Sequence, residues 1–274
     1  MSTNSAFDTF PDFTVERFAS YPGVTLPPPH PAEADTFDRQ TLLAGHDQDL
    51  IRNSRLTLVG AGGINGATML GAARMGFREI TCIDPDLVER TNLPRQMFYG
   101  SDLGFNKAVR LAHNTAAFAT DGGTFTGIGV HVQQALEQYV VPTDVLLVGV
   151  DNNAARLYCA QWARRRRIPA VFTMLSRTGW RCQTFLQGQR PDDACLWCAL
   201  PNLDPATAAP CAAAVVSACF LAASLSLTFA YRAILGWPAG MTRINWHDVD
   251  LSGQTPDVAG MIQRRPNCPV CGAQ

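Results

Sequence analysis

Two sets of residues have the types and spacing for chemistry. Cys195-Leu-Trp-Cys198 and Cys268-Pro-Val-Cys271 are both C-x-x-C pairs. Each pair can clamp a soft cation from one turn, and four thiolates complete a closed tetrahedral zinc site, whose usual role is structural. The competing reading is two unrelated pairs, one of them redox-active. The second set begins with Gly60, Gly62, Gly63 and Gly66 and ends in Asp84. Glycines there let a ligand approach the backbone, a following helix N-terminus supports phosphate, and an acid at the end of the next strand accepts from ribose hydroxyls. Dehydrogenases and ATP enzymes share that pattern.

Cations and a further carboxylate separate the two. Asn92, Arg95 and Gln96 lie in the loop after Asp84, Lys107 follows, and Asp151 comes later. Arg95 and Lys107 beside a glycine turn would neutralise a triphosphate and the charge that builds on it during attack, and Asp151 would hold Mg²⁺ through its carboxylate. Singly, each is most simply a surface residue; together with the turn they form one polyphosphate site. Cys211 stands apart, after a loop from Pro201 to Pro210 and just before a long apolar helix. The helix dipole favours a thiolate there and suits a nucleophile, although a small buried residue fits the position equally. Cys82, Cys159, Cys182 and Cys219 read as core cysteines.

The elements that must position these groups alternate. Leu56–Val59 reads as a buried strand, 67–75 as a helix, Glu79–Ile83 as a strand, 85–104 as a loop and 107–117 as a helix with Val109, Leu111 and Ala112 inward. Strands are expected near 124–132, 145–150, 170–175 and 243–249, with a basic helix over 154–167 whose Arg164–Arg167 end complements the helix dipole. Short helices are expected around Leu42 and Leu50. The fold class is α/β, a Rossmann-like doubly wound, mostly parallel sheet, with a C-terminal crossover and antiparallel extension carrying the four-cysteine zinc site. Residues 1–37, with Pro11, Pro22, Pro27, Pro28, Pro29 and Pro31, read as an irregular arm before a domain over 38–274. The apolar stretch 212–235 has the length of a membrane span, but its serines and alanines favour a buried helix, one that would suit a subunit interface.

Composition narrows the classes. Hydrophobic residues are 47% and charged ones 16%, with a net charge of −1; this is a globular chain with no electrostatic case for nucleic acid or an anionic membrane. No apolar segment follows Met1, so no secretory signal is expected. Nine cysteines in such a chain favour metal binding and reduced thiols, and a cytoplasmic home.

Arg39-Gln40, GAGGING, IDPDLVERTNLPRQ, GFNK, VDNNAAR and both cysteine pairs occur in this order. Over roughly residues 38 to 274 the chain resembles the ThiF/MoeB/HesA adenylyltransferases of the ubiquitin-activating-enzyme superfamily. That resemblance implies adenylation of the C-terminal glycine of a ubiquitin-like protein with ATP and Mg²⁺, with release of pyrophosphate. It places the nucleotide on Gly60, Gly62, Gly63, Asp84, Asp86, Thr91, Asn92, Arg95, Gln96, Lys107, Asp151 and Asn152. Catalysis would fall to Arg95, Lys107, Asp151, Arg39 from the second subunit of a homodimer, and Cys211 as acyl acceptor; zinc would sit on Cys195, Cys198, Cys268 and Cys271. A downstream conjugating enzyme or a sulfur donor would follow. Two departures stand out: Asn65 replaces a usual glycine, where its tolerance of left-handed φ would preserve the turn, and the segment around Cys211 is alanine-rich. The alternatives are sulfur-carrier activation of the thiamine or molybdopterin type, a NAD-dependent oxidoreductase, and a non-catalytic partner.

Overall fold

The computed structural model describes residues 36–139, 141–206 and 213–272 and the backbone of 15–19. In chain order the elements are β1 (Val15–Ala19), α1 (Asp38–Thr41), α2 (Gln48–Asn53), β2 (Arg55–Val59), α3 (Gly63–Arg74), β3 (Glu79–Ile83), α4 (Lys107–Phe118), β4 (Thr124–Ile128), α5 (Val132–Gln138), β5 (Val145–Val148), α6 (Asn153–Arg166), β6 (Ala170–Leu175), β7 (Arg181–Gln187), α7 (Leu196–Ala199), α8 (Val216–Leu235), β8 (Trp246–Asp250) and β9 (Val258–Gly260). They build one nine-stranded sheet in the order β1-β4-β3-β2-β5-β6-β7-β8-β9.

The five strands from β4 to β6 are parallel, and β7, β8 and β9 continue the sheet antiparallel. The chain runs outward from β2 through β3 to β4, then returns to the other side of β2 with β5. That reversal leaves a crevice beyond the carboxyl ends of β2 and β5, where open α/β sheets bind ligands. Register makes it level: Val59 pairs with Ile83 on one side and with Val148 on the other. Gly60, Asp84 and Gly149 therefore leave the sheet side by side.

Helices cover both faces. Small residues of α3 bring α8 close, and α8 also packs on β5, β6 and β7. Ala218, Ala222, Ala223 and Ala230 of α8 are buried, whereas Val216 and Phe220 are exposed. The helix expected to be buried is thus buried on one face only. Among the described residues it alone has the length and apolar character of a membrane span.

Three sequence expectations change. Residues 1–37 are not irregular throughout: β1 pairs antiparallel with β4 and satisfies backbone groups on an otherwise open sheet edge; the prolines named above lie outside the described residues. Helix α3 begins at Gly63, four residues earlier than its apolar pattern suggests, because glycine and a buried amide fit a helix start that packs on two strands. Strand β7 was not expected at all. Its buried Thr184 and Gln187 break the apolar alternation by which a strand is recognised.

Candidate functional site

Strand β2 is followed by Gly60, whose φ of 90° is open to glycine. This turn sends the chain back over the neighbouring strand, and the next amide, Ala61 N–H, donates to Asp84 Oδ2 at 2.6 Å. The other oxygen, Oδ1, accepts from Asp86 N–H at 2.8 Å. Burial pushes the Asp84 carboxyl above its ordinary range, opposed by those two amides and by the charge of Lys107. Helix α3 then starts at Gly63, with Gly62 as an N-cap that has no side chain to bond and with no acid in the first turn, so its first N–H groups have no intrahelical acceptor and suit an anion.

The loop between β3 and α4 folds back over this turn. A Cβ on Gly63 would lie 2.8 Å from the Arg95 carbonyl oxygen, which puts the Arg95 backbone directly on the turn. Gln96 is buried and its Oε1 has no partner. Asn92 Oδ1 accepts from Glu89 N–H, Thr91 Oγ1 reaches Glu89, and the Arg95 guanidinium donates to the Thr91 carbonyl. Lys107 Nζ sits 2.9 Å from Asp86 Oδ2, with the lysine nearly buried and the acid largely exposed.

Asn106, which sequence reasoning passed over, fixes that geometry. Its Oδ1 caps α4 on Val109 N–H, and its Nδ2 donates to the carbonyls of Asp84 and Asp86. An asparagine just before a helical pattern is the signal that could have found it. At the end of β5, Asp151 is exposed and Asn152 Oδ1 caps α6 on Ala155 N–H. Arg156, also passed over, donates to the Val150 carbonyl at 2.6 Å and to Asn153. Burial lowers its pKa while the charge of Asp151 raises it, so Asp151 and Arg156 feel one another across the mouth of the strand.

Arg39 is exposed on α1. The adjoining Phe37 packs at Gly76, just past the C-terminal end of α3. Twelve helical residues span about 18 Å, so Arg39 lies at the far end of α3 from its own chain's turn. Cys211 lies outside the described residues; α8 starts at Val216, after non-helical residues 213–215, so the helix start expected directly after Cys211 lies further along the chain. Cys82, Cys159, Cys182 and Cys219 are buried, as expected.

The four C-x-x-C sulfurs converge. All lie within 4.8 Å of one another, with Cys195–Cys268 at 3.6 Å, Cys198–Cys271 at 3.4 Å and Cys195–Cys198 at 3.9 Å. Four sulfurs about 2.3 Å from one zinc stand about 3.8 Å apart, so this donor set fits the ion. Arg265 N–H donates to Cys198 Sγ at 3.4 Å, the outer bond that orients a ligand. A separate cavity of ≈470 Å³ opens at the other end of the sheet. Two of its charged walls, Arg55 and Asp144, are already paired at 2.8 Å, and none of the chemistry-bearing residues above line it.

A family model described as the ThiF family matches residues 37–270. The chain belongs to the ThiF family. Among curated proteins, this ThiF-family chain is 27% identical over 255 residues to the SAMP-activating enzyme E1 of Haloferax volcanii, covering 88% of this chain and 89% of that protein. It is 25% identical over 244 residues to the molybdopterin-synthase adenylyltransferase of Escherichia coli, covering 86% and 95%. The fold is similar to that of E. coli MccB, with a TM-score of 0.67 at 20% identity over 83% of this chain and 67% of that one. As a ThiF-family member it is an ATP-dependent adenylyltransferase of the E1-like type.

Proposed function

We propose that the protein adenylates the C-terminal glycine of a small ubiquitin-like protein. The observation that carries this reading is the level crevice in which buried Asp84, held by the Ala61 and Asp86 amides, stands beside the uncapped start of α3. A ribose hydroxyl donates to Asp84, and the phosphates take the first-turn amides after Gly60, Gly62 and Gly63. Thr91, Asn92, Gln96 and Asn152 line the remainder. Lys107 turns from Asp86 to the phosphates; its present partner is largely exposed, and such a pair is worth little. Asp151 is the carboxylate that would hold Mg²⁺, which when bound neutralises charge on the triphosphate.

A terminal carboxylate oxygen attacks the α-phosphorus, the bond to the β-phosphate oxygen breaks, and pyrophosphate leaves. Arg95, Lys107 and Arg39 of a second copy offset the charge in that transition state. The position of Arg39 at the far end of α3, and the exposed Val216 and Phe220 of α8, support a homodimer. The Cys211 thiolate then attacks the acyl carbon, AMP leaves, and a thioester passes to a conjugating enzyme. Likeness to the molybdopterin-synthase adenylyltransferase favours a second reading, in which sulfide-level sulfur from a donor attacks the acyl carbon, AMP leaves, and the partner ends in a thiocarboxylate. Reduced thiols at the four-cysteine site support a cytoplasmic location.

ATP–pyrophosphate exchange with a small partner ending in glycine tests the proposal. Exchange should require that partner and disappear in Asp151→Ala, whereas Cys211→Ala should exchange normally and fail only to form the thioester. Full exchange by Asp151→Ala would overturn the site assignment.

A further inference from the structure

Asn65 is the third residue of α3 and is wholly buried. Its Nδ2 donates to the Val59 carbonyl at 2.9 Å and to the Leu147 carbonyl at 3.4 Å. Val59 is the last residue of β2, and Leu147 is the penultimate residue of β5. One amide therefore spans the two strands that flank the reversal of the sheet, from the first turn of the helix that faces the crevice. The Val59 carbonyl also accepts from Gly149 N–H at 3.0 Å, so the helix start, β2 and the exit of β5 meet on one oxygen.

The amide can point only one way. Turned over, it would set Oδ1 against two carbonyl oxygens. In the orientation observed, Oδ1 is buried with no partner. Gly149 fits the same contact, since a Cβ there would lie 2.8 Å from Asn65 Cγ. Asparagine has poorer helix propensity than alanine or leucine, and an unpaired buried oxygen is unfavourable. Neither helps the fold, and both are met at the point where the glycine turn and the strand leading to Asp151 must be held at fixed separation. The orientation expected to matter at this position, a left-handed backbone at Asn65, is absent: among non-glycine residues described, only Arg167 has positive φ.

We propose that Asn65 is a positioning residue for the triphosphate. It does not touch the nucleotide; its side chain fixes the first-turn amides of α3 relative to the Gly149–Asp151 exit of β5, so phosphate donors and the carboxylate for Mg²⁺ face one ligand. This rests on the nucleotide site proposed above. Placement errors of about 1 Å cost about a hundredfold in such sites.

The test is calorimetric titration of the full chain with ATP·Mg²⁺ and, separately, with adenosine, alongside thermal melting. Asn65→Gly removes both amide bonds, and Asn65→Asp keeps the shape but sets a carboxylate against the two carbonyls. ATP affinity should fall about tenfold in the first, in line with the loss of a pair of hydrogen bonds, and further in the second. Adenosine affinity, which relies on Asp84, should change less than about twofold. Asn65→Ser, able to donate one bond, should recover part of the ATP loss. Equal losses for ATP and adenosine, or a lowered melting temperature with ATP affinity unchanged, would show a merely structural role and overturn the proposal. Wild-type protein that binds adenosine but not ATP would overturn it together with the phosphate site, and wild type that binds neither would overturn the nucleotide site as well.

Discussion

The sulfur of Cys219 rests on the Cα of Gly63: a Cβ at residue 63 would lie 2.6 Å from Cys219 Sγ. One cysteine of α8 thus sets how closely that helix meets the glycine turn, and the same Cβ would lie 2.8 Å from the Arg95 carbonyl oxygen. Gly63→Ala should overpack this contact and destabilise by about 1–3 kcal/mol, read as a lower urea midpoint. Adding Cys219→Ala should return part of the loss and not all, because the Arg95 oxygen remains. Strict additivity of the two changes would show that they do not meet.

In the proposed nucleotide site, Asp84 would set the pH dependence. Burial raises its pKa above the ordinary range, against two amide bonds and Lys107, so the ionised form proposed to accept from a ribose is lost sooner on acidification. ATP affinity of the wild type should fall with pH beginning above about 3.9, and Asp84→Asn should be weaker throughout by about tenfold or more and nearly flat with pH. The sign for stability is the reverse. With the folded pKa raised, the contribution of this group is present at acid pH and is lost as pH rises through that value. Acid should therefore weaken binding without unfolding through this residue, which titration at several pH values with parallel melting would separate.

Much of this was legible in the chain. Glu79–Ile83 and Lys107 onward were expected within a residue or two of where they lie, because both have a clean period, and the strand also has a terminal signal in the acid that follows it. What stayed hidden has one cause: polar residues doing buried backbone work. Thr184 and Gln187 disguised β7; Asn106, Asn65 and Arg156 spend their side chains on carbonyls of Asp84, Val59 and Val150. These bonds run from a helix or its cap back to the end of a strand, beyond the three- and four-residue spacing of a helix, so no local period announces them. The four cysteines were legible because two C-x-x-C pairs are a local signal each, even though Cys195 and Cys268 meet only in the fold.

That cluster should behave as a folding ligand. One zinc per chain is expected by metal analysis of protein purified without added chelator. Cys195→Ser or Cys268→Ser should lose the ion and several kcal/mol of stability, of the order seen when a structural site is opened. Nucleotide affinity measured below the melting transition should change little, since α7, which carries Cys198, packs on β7, three strands away from β2 in the sheet. A purified protein without metal and with unaltered melting would remove zinc from the account.

Asp102 decides whether the loop carrying Arg95 and Gln96 keeps its place. Its side chain is fully buried and accepts from Arg110 at 2.7 Å, Tyr99 N–H at 2.8 Å and Asn114 Nδ2 at 2.9 Å; Asn114 in turn reaches the Met97 carbonyl. Burial raises its pKa, but those three donors together with the charge of Arg110 outweigh it, and the net shift is downward. A depressed folded pKa means stability that is present above the unfolded value and is lost as pH falls through the folded one. Asp102→Ala should cost about 3–5 kcal/mol at neutral pH, because it leaves Arg110 and two further donors without their acceptor. Asp102→Asn, which keeps the shape and one acceptor oxygen, should cost less. In urea titrations the gap between wild type and Asp102→Asn should narrow as pH drops below about 3.9, where the carboxylate of the unfolded chain takes up a proton while the folded one keeps its charge. A gap that stays constant with pH would mean that shape, not charge, holds the loop against α4.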